Sequence, residues 1–150
     1  MKKIYLASSS SWRAAILESA GIEVELFPPV VLEEKIVGTN PRDTARLRAR
    51  AKAEYVRSRI SDDAIVVAAD QVVYLDDDLF GKPKSQKNWL ERLESFRGRG
   101  HKLTTAVSLW GRGFQKRVRG AFYRLFSQGP LCGRTKGLYK IWRSFGLCRW

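Results

Sequence analysis

Asp70 closes the apolar run Ala64-Ile65-Val66-Val67-Ala68-Ala69, and the loop-like Gly81-Lys82-Pro83 follows a short distance on. A carboxylate at the end of a β-branched run stands where open α/β sheets place their ligands, and there it can hold a metal or activate water. A second junction, Leu6-Ala7-Ser8-Ser9-Ser10-Ser11-Trp12-Arg13, joins a strand-like run to a helix-like one. A serine-rich turn entering a helix offers backbone N–H groups and hydroxyls to phosphate oxygens, and Arg13 adds a forked cation. Two such junctions in one chain point to nucleotide-handling chemistry.

The elements that must position these residues can be read from punctuation and period. Lys3–Ala7 reads as a strand, Trp12–Ala20 as a helix closed by Gly21, and Ile22–Phe27 as an alternating strand. Pro28-Pro29 opens a loop. Thr39-Asn40-Pro41 then supplies a capping side chain and a proline at the first helical position, predicting a helix to about Ile60. Ala45, Ala49, Ala53, Val56 and Ile60 recur at helical spacing on one side, with Arg42, Arg46, Arg50 and Arg57 left for the wetter sides. After the Ala64–Ala69 strand come Val72–Leu75, a turn at Asp76-Asp77-Asp78, a helix near Ser85–Ser95 and a strand near Lys102–Trp110. Beyond Trp110 no period of 2 or 3.6 is sustained, and no element is predicted.

With 150 residues, 44% hydrophobic and 29% charged, the chain has the makings of one modest folded core. No apolar run approaches the roughly 18 residues of a membrane helix, and the N-terminal Met-Lys-Lys-Ile-Tyr-Leu-Ala is too short in apolar residues for a secretory signal, so no membrane partner and a cytoplasmic location are expected. Cys132 and Cys148 lack the spacing of a disulfide framework or a zinc knuckle. The net charge of +13 is unevenly placed: all 15 acids lie in residues 1–94 beside 15 basic residues, and residues 95–150 hold the remaining 13 basic residues. A basic, aromatic-bearing segment could bind nucleic acid through phosphate neutralisation and stacking. The reading favoured for 111–150 is instead a sequence without the pattern of a folded protein, as translation out of frame produces.

In order and spacing, Leu6-Ala-Ser-Ser-Ser10 with Arg13, Glu33, Ala49-x-x-Lys52-Ala53, Asp70-Gln71-Val-Val, Gly81-Lys82-Pro83, Gly98-Arg99-Gly-His101 and Thr105 resemble the Maf-like nucleotide pyrophosphatases. The resemblance covers about residues 1–109. It implies a mixed twisted α/β sheet flanked by helices, similar to the inosine triphosphate pyrophosphatases and incomplete at its C-terminus, because the family's second lobe with an Ala-Gly-containing substrate loop is not found here. The expected organisation is a pyrophosphatase domain over 1–110 and a basic, aromatic-rich tail over 111–150. A homodimer is a further possibility.

Within the family, Trp12 and Gln71 resemble the branch that acts on 7-methyl-GTP; the thymidine- and uridine-preferring branch typically has Arg and Thr at these places. An indole face suits the cationic ring of N7-methylguanine, and Gln71 can read a base edge or support Asp70. The implied reaction is attack of water on the α-phosphate, giving the nucleoside monophosphate and diphosphate. That chemistry asks for charge neutralisation across three phosphates, a divalent cation such as Mg²⁺ or Mn²⁺, and a base. Asp70 is the candidate base, and Glu33 with Asp70 forms the candidate metal pair, since hard cations prefer carboxylate oxygens. Ser8, Ser10, Trp12, Arg13, Glu33, Lys52, Gln71 and Lys82 are the candidate substrate-binding residues. The alternatives are a catalytically impaired truncated or frameshifted homologue, and a nucleic-acid-binding protein acting through its tail.

Other chemistries fit less well. His101 has no partners at zinc-ligand spacing, Ser8–Ser11 form no nucleophile elbow, and Asp76-Asp77-Asp78 read as a solvated turn. The chain also departs from the family pattern: Ser11 stands in place of a proline, Leu32 in place of an acid before Glu33, and Arg48 in place of an apolar residue before Ala49.

Overall fold

Residues 65–73 alternate between buried and more accessible positions straight through Asp70-Gln71, with Val66, Ala68, Asp70 and Val72 turned inward. That unbroken alternation is why the computed structural model has one eleven-residue strand here, β3 (Ile65–Leu75), in place of two runs separated at Asp70. Asp70 therefore sits within a strand and not at its end. Its poor strand propensity is offset by an ion pair made on the inward face. The structure describes residues 2–76, 78–83, 85–111 and 114–126, with side chains described as far as residue 111. The reading of 127–150 as an unpatterned tail, the two cysteines and the central residue of the Asp76–Asp78 turn lie outside the described residues.

The other elements are β1 (Ile4–Ala7), α1 (Ser11–Ser19), β2 (Glu25–Leu26), a 3-10 turn (Glu33–Lys35), α2 (Pro41–Arg57), β4 (Asp78–Phe80), α3 (Gln86–Ser95), β5 (Gly100–Gly111) and β6 (Phe114–Phe126). Among the described residues they build a six-stranded sheet of order β2-β1-β3-β5-β6, with β4 on β3. β1 pairs in parallel with both β2 and β3, and β3 pairs antiparallel with β4, so the sheet is mixed as expected. The expected strand over Ile22–Phe27 shrinks to two residues. Only Glu25 and Leu26 pair with β1, and Pro28-Pro29 carry no N–H to extend the ladder. β6 falls where no element was predicted. A strand takes its order from backbone pairing, which side-chain period does not report.

The chain divides into two compact units, one formed by Met1–Val72 with Thr104–Ala121, the other described through Val73–Leu103. In the first, α1 ends in a double capping pattern: Ile22 N–H donates to Leu17 O and Gly21 N–H to Glu18 O, with Gly21 at φ +75°. Glycine adopts that conformation without strain. α2 starts on Asn40, whose side chain accepts from Asp43 N–H at 2.9 Å, while Asp43 accepts from Thr39 N–H at 3.2 Å. Its buried stripe comprises Thr44, Ala45, Arg48, Ala49, Lys52, Ala53 and Val56. Ala53 and Val56 meet Ala7, Val66 and Ala68 in the core, with Tyr5, Phe27, Tyr55, Ile60 and Trp110 packed around them. Small side chains on this stripe let the helix approach the sheet closely, so the longer Arg48 and Lys52 reach along it.

In the second unit, Ser85 caps α3 by accepting from Asn88 N–H at 3.0 Å. Phe96 bridges Phe80, edge to face at 4.9 Å, and the ring of His101, stacked at 4.6 Å. Arg99 pairs with Asp76, whose backbone turns through φ +52°. No helix among the described residues is long and apolar enough to cross a membrane.

Candidate functional site

β1 is the strand at which the winding direction reverses: the connection through α1 leads to β2 on one side, and the connection through α2 leads to β3 on the other. Such a switch point leaves a crevice at the strand's carboxyl end. The Ser8–Ser10 turn leaves β1 there. Ala7 is in register with Ala68, which brings that turn level with the stretch of β3 containing Asp70.

Within the turn, the buried Ser8 hydroxyl accepts from Ser10 N–H at 3.1 Å and from Arg13 Nη1 at 3.2 Å. Ser8, Ser10 and Arg13 are thus held as one constellation before any ligand arrives. Ser10 occupies the N-cap of α1 with no side-chain bond to the helix, so the first N–H groups of α1 are not capped by its hydroxyl. A phosphate oxygen suits such donors.

Lys52, one face of α2 away from solvent, is the centre of a second constellation. Its Nζ lies 2.5 Å from Asp70 Oδ1 and 3.0 Å from Glu33 Oε1, and only 6% of the residue is exposed. Asp70 is 3% exposed, and its Oδ2 has no hydrogen-bond partner among the described residues. Burial pushes the Asp70 carboxyl above its ordinary value of 3.8; the Lys52 charge and hydrogen bond pull it down, the Glu33 charge pushes it up, and the Arg48 charge pulls it down. One oxygen is fixed by an ammonium and the other is bare: a carboxylate so arranged is oriented and still able to accept a proton or a cation.

That bare oxygen is also the test of metal binding. Among the described residues no group of three or more His, Cys, Asp or Glu side chains could enclose an ion. A small divalent cation does not need one, since it is commonly held by one or two carboxylates together with substrate phosphates and water. Asp70 Oδ2 and the half-buried Glu33 fit that donor set, with the ligand's own oxygens completing it.

The remaining candidates are placed less centrally. Trp12 projects from α1 at 43% exposure and is not packed into the core. Gln71 points to the opposite face of β3 from Asp70, where its Nε2 donates to Thr105 Oγ1 at 2.9 Å. It therefore does not support Asp70 directly, because neighbouring strand residues alternate faces. Lys82 belongs to the second unit, exposed in the loop between β4 and α3. Arg48 appears in the sequence only as a departure from pattern, yet it is buried on the same stripe as Lys52 and its Nε donates to Ile36 O at 2.9 Å. The available signal was its four-residue spacing from Lys52.

Comparison with known proteins bears on the whole arrangement. A family profile described as "Maf-like protein" matches residues 3–124, beyond the 1–109 of the motif resemblance. A dTTP/UTP pyrophosphatase of Aquifex aeolicus is 40% identical over 108 residues, covering 72% of this chain and 56% of that protein. A 7-methyl-GTP pyrophosphatase of Mesorhizobium japonicum is 37% identical over 114 residues, covering 72% and 57%. The chain thus spans about half the length of the curated relatives it matches. Among solved structures, a HAM1 protein from Coxiella burnetii superposes with a TM-score of 0.54 at 17% identity, covering 83% of this chain and 72% of that one, a likeness of fold alone.

Proposed function

Because the chain belongs to the Maf-like protein family, we propose that it is a nucleoside triphosphate pyrophosphatase, with 7-methyl-GTP as its preferred substrate. The observation that carries the reaction is Asp70: buried, fixed through Oδ1 by Lys52, bare at Oδ2, and level with the Ser8–Arg13 turn. In this reading the turn and Arg13 bind the phosphates. Asp70 Oδ2 accepts a proton from the water whose oxygen attacks the α-phosphorus; the bond from that phosphorus to the bridging oxygen breaks, and diphosphate leaves. Lys52 counteracts the upward push of burial on the Asp70 carboxyl, aims it, and ties it to Glu33. A divalent cation held by Glu33 together with phosphate oxygens would supply Lewis-acid withdrawal of charge from the phosphates, which leaves Asp70 Oδ2 for the proton.

The base preference is supported by Trp12. An indole on α1 that is 43% exposed can stack on a ligand, and a cationic purine gains more from such a face than a pyrimidine does. Gln71, with its carboxamide oriented by Thr105, offers both a donor and an acceptor to a base edge. Relatives carry names for both 7-methyl-GTP and dTTP/UTP, so substrate choice is the point to test.

The test is diphosphate release by the 150-residue chain with Mg²⁺ or Mn²⁺, comparing 7-methyl-GTP, GTP, dTTP and UTP. Preference for 7-methyl-GTP, lost by at least a hundredfold in rate in Asp70→Asn, is the expected result, on the order of what general-base removal costs. Preference for dTTP or UTP would overturn the base assignment; no turnover of any of the four would overturn the activity of this chain.

A further inference from the structure

Arg48 is 8% exposed on the inward stripe of α2, one helical turn before Lys52. Among the described residues its guanidinium has a single hydrogen-bond acceptor, Ile36 O at 2.9 Å from Nε, and no carboxylate within salt-bridge distance. Among the described residues its two terminal amino groups, with four N–H donors, have no hydrogen-bond acceptor, and they are not among the fully enclosed polar atoms that lack a partner. A guanidinium on so largely buried a side chain, without a counter-charge in contact, favours an anionic ligand at its open end. The neighbouring charges do not supply the pairing. Glu33 and Asp70 both engage Lys52, although Arg48 lies near enough to Asp70 for its charge to act there.

We propose that Arg48 is an anion-binding residue of this site, its terminal amino groups taking the oxygens of a phosphate group that Lys52, already shared between two carboxylates, cannot take. Nε holds the side chain against the Ile36 carbonyl, just past the 3-10 turn that carries Glu33, so the fork is oriented before the anion arrives. A planar fork matches two phosphate oxygens at once, which an ammonium does not. The ligand class is a di- or triphosphate, and the inference rests on the nucleotide reading of the site.

The experiment is calorimetric titration of the full chain with inorganic diphosphate in the presence of Mg²⁺, for the wild type and for Arg48→Leu, Arg48→Gln and Arg48→Lys. Glutamine keeps an N–H donor for the Ile36 carbonyl and loses the charge; lysine keeps the charge and loses the fork. The expected loss of affinity is roughly tenfold to a hundredfold in Arg48→Leu and Arg48→Gln, the range for a hydrogen bond to a charged group, with Arg48→Lys between these and the wild type. In turnover assays the loss appears in KM and leaves kcat nearly unchanged. Diphosphate affinity unchanged in Arg48→Gln overturns the proposal, as does a wild type that binds no diphosphate. So does loss of the folded far-UV spectrum in Arg48→Gln, which would make the guanidinium structural. Binding is read without turnover, so an inactive chain that still needs Arg48 for diphosphate would sink the catalytic reading and keep this one.

Discussion

Replacing Lys52 by Met removes the ammonium from between Glu33 and Asp70 while keeping most of the side-chain volume on α2. Glu33 is 36% exposed at its side chain, so solvent takes over much of its share and its loss stays within about 1 kcal/mol. Asp70 has no such recourse. At 3% exposure, with Oδ2 already bare, it would be left with neither oxygen satisfied. Breaking a buried pair in this way costs about 3–5 kcal/mol. Protonation sets a ceiling: holding Asp70 neutral at pH 7 costs at most roughly 4 kcal/mol, at 1.36 kcal/mol per unit between an ordinary Asp and that pH. The sign with pH follows from the direction of the shift. The folded carboxyl already lies above 3.8, so the stabilisation its proton brings is complete below 3.8 and is lost as pH rises through the folded value. Without Lys52, the largest influence pulling that value down, it moves higher still, and stability declines over a wider span of pH. Urea unfolding at steps from pH 4 to pH 8 should therefore show a gap between wild type and Lys52→Met that is small in acid and grows toward neutrality. The double variant Lys52→Met/Asp70→Asn should recover much of the gap at pH 7. A gap that is constant with pH, or widest in acid, would refute the assignment of Lys52 as the counter-charge of a buried Asp70.

Two further outcomes are expected elsewhere. A Cβ at Gly38 would meet Asp43 Oδ2 at 2.5 Å and the Thr44 backbone N at 2.7 Å, so Gly38→Ala should destabilise by about 1–3 kcal/mol in urea unfolding; a change below about 0.5 kcal/mol would contradict the close approach at the start of α2. His101, buried against Phe96, has its ionisation pushed below 6.5 by desolvation, so the wild type should lose stability as pH falls from 6.5 through the folded value, and His101→Phe should lose that portion of the pH dependence.

The parts of the fold legible in the sequence are those where local chemistry and tertiary position agree. Asn40-Pro41 marks the start of α2, Gly21 marks the end of α1, and the Ala45, Ala49, Ala53, Val56 spacing marks the face that packs on the sheet. Where tertiary pairing decides, the sequence misleads. Asp70-Gln71 reads as a strand terminus because both are polar, but β3 continues through them, one side chain paired inward with Lys52 and the other outward with Thr105. Ile22–Phe27 has strand-like alternation over six residues and finds partners for two of them on β1.

The same division runs through the site. The residue types of the Ser8–Arg13 turn and the Glu33, Lys52, Asp70 set could be nominated from motif order, but which carboxylate is bare could not, because it depends on how one ammonium is shared. A lysine midway along a helix is ordinarily solvated, and Lys52 is buried only because alanines on either side of it let α2 approach β3. That approach carries Arg48 inward with it. The consequence is a set of two carboxylates, Asp70 buried and Glu33 half-buried, and two cations, in which, among the described residues, one Asp70 oxygen has no hydrogen-bond partner and the Arg48 guanidinium donates only through Nε. A cation alone would answer the first and an anion alone the second. A metal-bound polyphosphate answers both at once, which is why the unmatched charges of this stripe are a stronger pointer to ligand class than any single residue within it.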